Sequence, residues 1–445
     1  MRCGRRVALG ALTAAATAPG LWTPPAAVLE HGYAGPGPLT ALSLPRLEHT
    51  CTSCFPACVG DKCLVSVEVT YPKGGLALGL GPPFPLILWS GGFTVDAAAY
   101  ASTASRLASW GYTVMRYNTR EALTELLDDV THVQLIRELI DWSGAHPLVR
   151  QLADTRQGVM LAGHSRGAKL SALAAAADSR VAGLALIDPV DVTQYAPESP
   201  RYPSAASALA GLPPSRFLPL AVVGGSLGGA CAPLESNYDR FFDSVPPGAP
   251  AWLVEVRGAG HFAVLDDATV LQRIVCARSE APVRDGAVRV LSVGVALALA
   301  EAVMRPGGAD VLSVLRRRCG GDGGGGGGGG GAAEGGPALP PMWAAAGGLV
   351  AAAAAAQQRP PPAQQPPQQQ LPPTWATERR PPPAYLPPGP LPPPTLARAD
   401  AALRARLERS LNQLRYQCSV QQGSLLELTV RYKGFGGGGG EGGAS

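Results

Sequence analysis

"VMLAGHSRGAKL" (Val159 to Leu170) decides how this chain is read. Apolar and small residues run up to Gly163-His164-Ser165-Arg166-Gly167, and a small-residue stretch of helical character follows. A strand, a tight Gly-x-Ser-x-Gly turn and a helix lift a serine above the carboxyl ends of a parallel sheet. Gly163 and Gly167 then remove Cβ atoms that would collide where strand and helix approach. The N–H of Arg166, opening the helix, points at the site and can steady an oxyanion. In a chain with 56 glycines the motif alone is weak, so its surroundings carry the decision.

Outward from it, short apolar runs alternate with longer helical stretches from Leu64 to Cys319. Strands are predicted at 64–72, 85–90, 113–117, 159–163, 183–188, 220–225 and 252–256. Most of the middle ones are apolar throughout, as in strands covered on both faces by helices. The expected fold is α/β: a three-layer sandwich with a mostly parallel central sheet, of the α/β-hydrolase kind.

A serine needs a base. In the hydrolase order the acid and then the histidine follow the nucleophile. His261, in "VEVRGAGHFAVLDD" directly after the last predicted strand of the sheet, is the one histidine after Ser165. Position alone divides the acid evenly. Asp188, with Asp191 three residues on, ends the strand "GLALID", whereas Glu235 and Asp239 follow "LAVVGGSL". The loop after "PLILWS" reads Ser90-Gly-Gly-Phe93, so the N–H of Phe93 or Gly92 is expected as the second oxyanion donor.

At this point several segments resemble the chlorophyllase family of α/β hydrolases. "LAGHSRGAK" is similar to that family's Gly-His-Ser-Arg-Gly-Gly segment, and "LIDPVD" to the Asp-Pro-Val segment that carries its catalytic Asp. "CAPLESNYDRFF" and "AGHFAVLDD" resemble its Cys-Ala-Pro stretch and its histidine segment. The resemblance covers about Val69 to Leu315. It implies Ser165, His261 and Asp188 as a triad, leaving Asp239 and Glu235 as alternatives. It also implies hydrolysis of the phytyl ester of chlorophyll, with no cofactor and no protein metal. Ala168, Gly91 and "FAV" after His261 depart from the family pattern near the substrate mouth, which touches substrate preference more than chemistry. The Pro- and Ser-rich segment 193–217 is expected to line or cover a greasy pigment groove. A broader lipase or esterase and a catalytically silent pigment-binding scaffold are the competing readings.

The flanks read differently. Residues 1–50 suggest a targeting peptide and lead-in. Arg2, Arg5 and Arg6 with no acid before Glu30 favour a chloroplast transit peptide over a secretory signal. A catalytic domain is expected over 51–318, then a disordered Gly/Pro/Gln-rich extension over 319–394. An amphipathic basic helix and a short strand are expected over 395–432, followed by a Gly-rich tail over 433–445. In the helix, Leu403, Leu407 and Leu411 share one face among arginines, which suits docking on the domain, a partner, or a membrane surface. The partner of this tail is not readable. A net charge of +4 without a basic stripe argues against nucleic acid. The apolar run Val288–Met304 holds Arg289 and Glu301, and reads as a buried helix rather than a span. Cys51, Cys54, Cys58 and Cys63 read as disulfides, as free thiols or as a zinc site, in that order.

Overall fold

Runs of valine, leucine and isoleucine assemble into one mixed sheet. Two short strands, β1 (Thr40–Ser43) and β2 (Leu47–Thr50), pair antiparallel with the long β3 (Leu64–Lys73). Next in the chain come β4 (Phe84–Ser90), β5 (Thr113–Thr119), the two-residue β6 (Ala153–Asp154) and β7 (Val159–His164). β8 (Val181–Ile187), β9 (Leu220–Leu227), β10 (Ala251–Gly260) and β11 (Leu428–Lys433) complete the sheet. Its order is β1-β3-β5-β4-β7-β8-β9-β10-β11. The six strands from β5 to β10 are parallel, and β3 and β11 close the two sides antiparallel. This computed structural model describes residues 32–305, apart from 122–125, 214 and 247. Beyond them it describes 426–433 and parts of 311–315 and 403–412.

Up to Met304, the α-helices of six residues or more are, in chain order, α1 (Ala101–Ser109), α2 (Asp129–Ala145), α3 (Arg166–Ala177), α4 (Ala205–Ala210), α5 (Tyr238–Ser244), α6 (Val270–Val275) and α7 (Asp285–Met304). α1 packs with α7, while α2 and α4 pack on α3 and α5 on α4, so each face of the sheet carries a helical layer. The result is the three-layer α/β sandwich with a largely parallel sheet expected for an α/β hydrolase. All six residues of β7 are buried, which explains the apolar and small run Val159–Gly163 that leads to His164.

By length and hydropathy α7 could cross a membrane, yet most of it is buried inside the protein. Its buried Glu301 accepts from Tyr112 Oη at 2.7 Å and pairs with Arg305 at 2.8 Å. A core helix tolerates such a carboxylate because both partners are supplied locally.

Two boundaries differ from the sequence reading. The lead-in to residue 50 already contains β1 and β2, and Tyr33 is packed edge-on to Trp110 in the core. The domain does not stop at 318. Helical residues 405–410 bury Leu407, Arg406 Nε donates to Ala302 O at 2.9 Å, and β11 pairs with β10 over six positions. Residues 1–31, the whole 319–394 extension and the tail beyond Lys433 lie outside the described residues, as does Leu411. So does a second unit of the chain, Glu334–Asp400.

The cysteine cluster forms two disulfides, Cys51–Cys54 and Cys58–Cys63, in the segment before β3. A third, Cys231–Cys276, joins the connection after β9 to the end of α6 and was not anticipated. Among the described residues no group of three or more His, Cys, Asp or Glu side chains is placed to hold a metal ion.

Candidate active site

Ser165 sits between β7 and α3 at φ 56° and ψ −127°. The turn is possible because its neighbours lack side chains. A Cβ on Gly163 would lie 2.6 Å from the Gly167 backbone, and one on Gly167 would lie 2.2 Å from Gly91 O. Three non-glycine residues have positive φ among those described: Thr94, Ser165 and Asp188. All three stand at this site. Such backbone costs about 1–3 kcal/mol per residue and persists where the surroundings hold it in place.

Ser165 Oγ lies 3.0 Å from His261 Nε2, and His261 Nδ1 lies 2.6 Å from Asp188 Oδ2. A carboxylate only accepts, so Nδ1 carries the proton given to Asp188, and Nε2 is left to accept from the serine. Asp188 Oδ1 accepts from Gly225 N–H at 3.0 Å, which fixes the carboxylate plane. Asp188, Ser165 and His261 are all buried. The histidine loop is pinned in turn: Asp266 accepts from Ser102 N–H at 2.8 Å and pairs with Arg289 at 3.1 Å.

The alternative acids are placed elsewhere. Asp239 pairs with Arg431 of β11, and Glu235 is exposed and makes no contact with His261. Asp191 accepts from Ser204 Oγ and Ala205 N–H at 2.6 and 2.7 Å, and so fastens α4 to the connection after β8. Position alone could not separate these carboxylates from Asp188; their neighbours do.

Of the two amides expected in the Gly-Gly-Phe loop, Gly92 N–H is already donated to Tyr100 Oη at 3.0 Å. That leaves Phe93 N–H as the loop's candidate. Tyr100 Oη also lies 2.9 Å from His164 Nδ1, and His164 Nε2 lies 3.0 Å from the carbonyl of His261. A carbonyl accepts, so His164 holds its proton on Nε2, and its Nδ1 accepts a hydrogen bond from the tyrosine hydroxyl. One buried line thus joins the Gly92 loop to the backbone of His261. The sequence reading missed Tyr100 and His164. The sole hint was an imidazole in the variable position before the serine. Tyr100→Phe is expected to leave KM nearly unchanged and to lower kcat by about tenfold to a hundredfold, because the loop loses its anchor. Steady-state kinetics check this, and an unaltered kcat would remove Tyr100 from the positioning of the site.

The Arg166 side chain turns away from the serine. It donates to Leu127 O at 2.6 Å and to Asp129 at 3.1 Å, and its guanidinium lies 6.0 Å from the Phe93 ring. Lys169 Nζ meets the other Asp129 oxygen at 2.9 Å, with both groups buried. The N-termini of α2 and α3 are therefore locked together beneath the site. A cavity of about 260 Å³ opens beside it, lined by Gly91–Asp96, Tyr117–Thr119, Glu121, Leu126, His132, Arg166 and Leu170. No residue of 193–217 is among those lining this cavity.

Burial holds the His132 imidazole down at about 3, with the Arg166 guanidinium acting in the same direction. Burial also holds His164 well below its ordinary value, and His261 acts with it. In the unfolded chain both imidazoles bind protons as pH falls through about 6.5, whereas in the folded chain neither does so until much lower pH. The unfolded state then carries more protons, so stability falls as pH drops below about 6.5. Two such groups give a slope approaching about 2.7 kcal/mol per pH unit near pH 5. His132→Asn is expected to halve it. Denaturant titrations at several pH values measure the slope, and a flat profile between about pH 6.5 and 5 would contradict it.

No curated protein sequence matches the chain. The family model described as Chlorophyllase does, over residues 79–319, more than half of the chain and all of the connections that carry Ser165, Asp188 and His261. The chain therefore belongs to the chlorophyllase family of carboxylic-ester hydrolases, serine enzymes that act on chlorophyll-type esters.

Proposed function

We propose that Ser165, His261 and Asp188 are the catalytic triad and that the ester cleaved is the phytyl ester of chlorophyll. The observation that carries this is the unbroken hydrogen-bonded line from Ser165 Oγ through His261 to Asp188 at a positive-φ turn. His261 Nε2 takes the serine proton as Oγ attacks the propionate carbonyl carbon. Charge gathers on the carbonyl oxygen, where the N–H groups of Phe93 and Arg166 receive it. The bond to the phytyl oxygen breaks, and His261 returns the proton to departing phytol. Water, deprotonated by the same nitrogen, then attacks the acyl carbon, and chlorophyllide leaves with Ser165 restored. Asp188 keeps the proton on Nδ1 and stabilises the imidazolium. Magnesium enters only as part of the substrate.

The cavity beside the serine is smaller than the roughly 300–1,000 Å³ typical of ligand pockets. It suits the reacting ester and its immediate flanks, with ring and alcohol chain continuing over the mouth. The basic, acid-poor N-terminus supports delivery to the chloroplast as the setting for this reaction.

The test pairs a fluorophosphonate with a chlorophyll assay on the full chain. Stoichiometric label on Ser165, found by peptide mapping, with parallel loss of phytol release is the expected result. Chlorophyllide formation that persists with Ser165 fully labelled would sink the triad. Cleavage of nitrophenyl acyl esters with chlorophyll left intact would keep the triad and replace the substrate.

A further inference from the structure

The large apolar side chains left in water are not scattered over this protein. Among the described residues ten are exposed, and nine of them belong to connections at one end of the sheet. Phe93 follows β4, Val130 opens α2 after β5, Tyr195 follows β8 and Leu234 follows β9. Val270, Ile274 and Val275 stand on α6, in the connection that leaves β10. β3 runs against β5, with Val65 opposite Thr119, so the segment before β3 reaches this same end. That segment carries Phe55 and Val59. Leu76, in the turn from β3 to β4, is the one at the other end.

These connections are fastened to one another. Cys231–Cys276 joins the segment of Leu234 to α6. Asp191 N–H donates to Ser236 O at 2.8 Å, which ties the Leu234 segment to the loop of Tyr195. Asp129 N–H donates to Arg201 O at 3.1 Å, bringing that loop to the start of α2. The end they cover is the one at which β7 delivers Ser165. Leu234 is 79% exposed and Val270 75%, more than any fold needs to leave in water.

We propose that this end of the protein docks on a lipid surface, with the exposed apolar side chains entering the acyl boundary around the mouth of the site. A lipid is the occupant the chemistry favours. Chlorophyll-type esters are the substrate class, and at about 260 Å³ the cavity beside the serine is too small to enclose a whole pigment ester. An apolar rim lets ring and chain pass from bilayer to serine without crossing water. Charge is not the attraction. Exposed Arg201, Arg273 and Arg278 are matched by Glu198, Asp267 and Glu280 in the same connections. The C-terminal helix, which the sequence offered for a membrane surface, instead buries Leu407 in the core. The inference uses the assignment of Ser165 only to say which end meets substrate; binding is read without turnover, so either can fail alone.

The experiment is flotation of the full chain with phosphatidylcholine vesicles, without chlorophyll. The parent is expected to float with the vesicles, equally at low salt and at about 0.5 M, where charge attraction is screened. Joint substitution Leu234→Ser, Val270→Ser and Ile274→Ser should lower the partition coefficient about tenfold or more, while turnover of a soluble nitrophenyl acetate stays within about twofold. Leu76→Ser should float like the parent. If the joint variant loses soluble-ester turnover as well, Ile274→Asp alone takes its place. The proposal is overturned by a parent that does not float, or by substituted chains that float equally well. A parent that is dimeric and becomes monomeric on substitution would also overturn it, since the patch would then cover a second copy.

Discussion

Ser165→Ala is expected to lower kcat/KM for chlorophyll by roughly three to six orders of magnitude while leaving chlorophyll binding intact. That is about 4–8 kcal/mol of transition-state stabilisation. On the proposed assignment the loss is large because His261 and Asp188 both act through one oxygen. Without Oγ, the imidazole 3.0 Å away has no proton to take, and the amides have no covalent oxyanion to receive. The backbone gains nothing from the change, since alanine meets the same strain at φ 56°. Asp188→Asn should cost about 10⁴ in kcat by presenting the wrong tautomer. Asp239→Asn, which touches Arg431 rather than His261, should stay within about tenfold of the parent. Single-turnover release of phytol measures all three. A Ser165→Ala chain retaining a tenth of parental turnover would leave this serine outside the chemistry.

What the sequence revealed and what it hid follow from the range of the interactions involved. β7, Ser165 and α3 were legible because strand, turn and helix are contiguous and two glycines announce the close approach. His261 was legible by chain order, as the one histidine after the serine. Chain position left Asp188 and Asp239 level and the resemblance of "LIDPVD" favoured Asp188, whereas the contacts that distinguish the two carboxylates are encoded by no local pattern. One is the Gly225 N–H that clamps Asp188; the other is Arg431, 192 residues from Asp239. The buried line from Gly92 through Tyr100 and His164 is likewise tertiary. The seven predicted strands were placed to within a few residues, most of the parallel ones because burial on both faces makes them apolar runs and β3 by its β-branched residues. β1 and β11 stand at the sides of the sheet, where all their residues but Leu428 are exposed or half-buried, and carried too weak a pattern to be drawn into it.

Removal of everything after residue 320 is expected to destabilise the hydrolase, although the triad and every parallel strand would remain. Leu407, Leu426 and Leu428 are buried in the same core as α7 and β10, and would be lost together. At about 1.5–3 kcal/mol for each buried leucine, the deletion costs roughly 5–9 kcal/mol, an upper figure if the unfolded chain is itself compact. That is comparable with the roughly 5–15 kcal/mol that holds a domain folded. β10 would also become an open edge. Its run Ala251–Val256 faces β11 residue by residue, with Trp252 opposite Tyr432 and Val254 opposite Val430. An uncovered apolar strand of that kind invites pairing with other chains. The truncated protein should melt roughly 10–20 °C lower and aggregate on purification. Deleting only Glu334–Asp400, which keeps the glycine-rich stretch as a connection to the returning segment, should change the melting temperature by a few degrees at most. Calorimetry on the two deletions separates the possibilities. Equal melting of the chain cut at 320 and the parent would show that β11 and Leu407 contribute nothing to the fold, and that the sheet ends at β10.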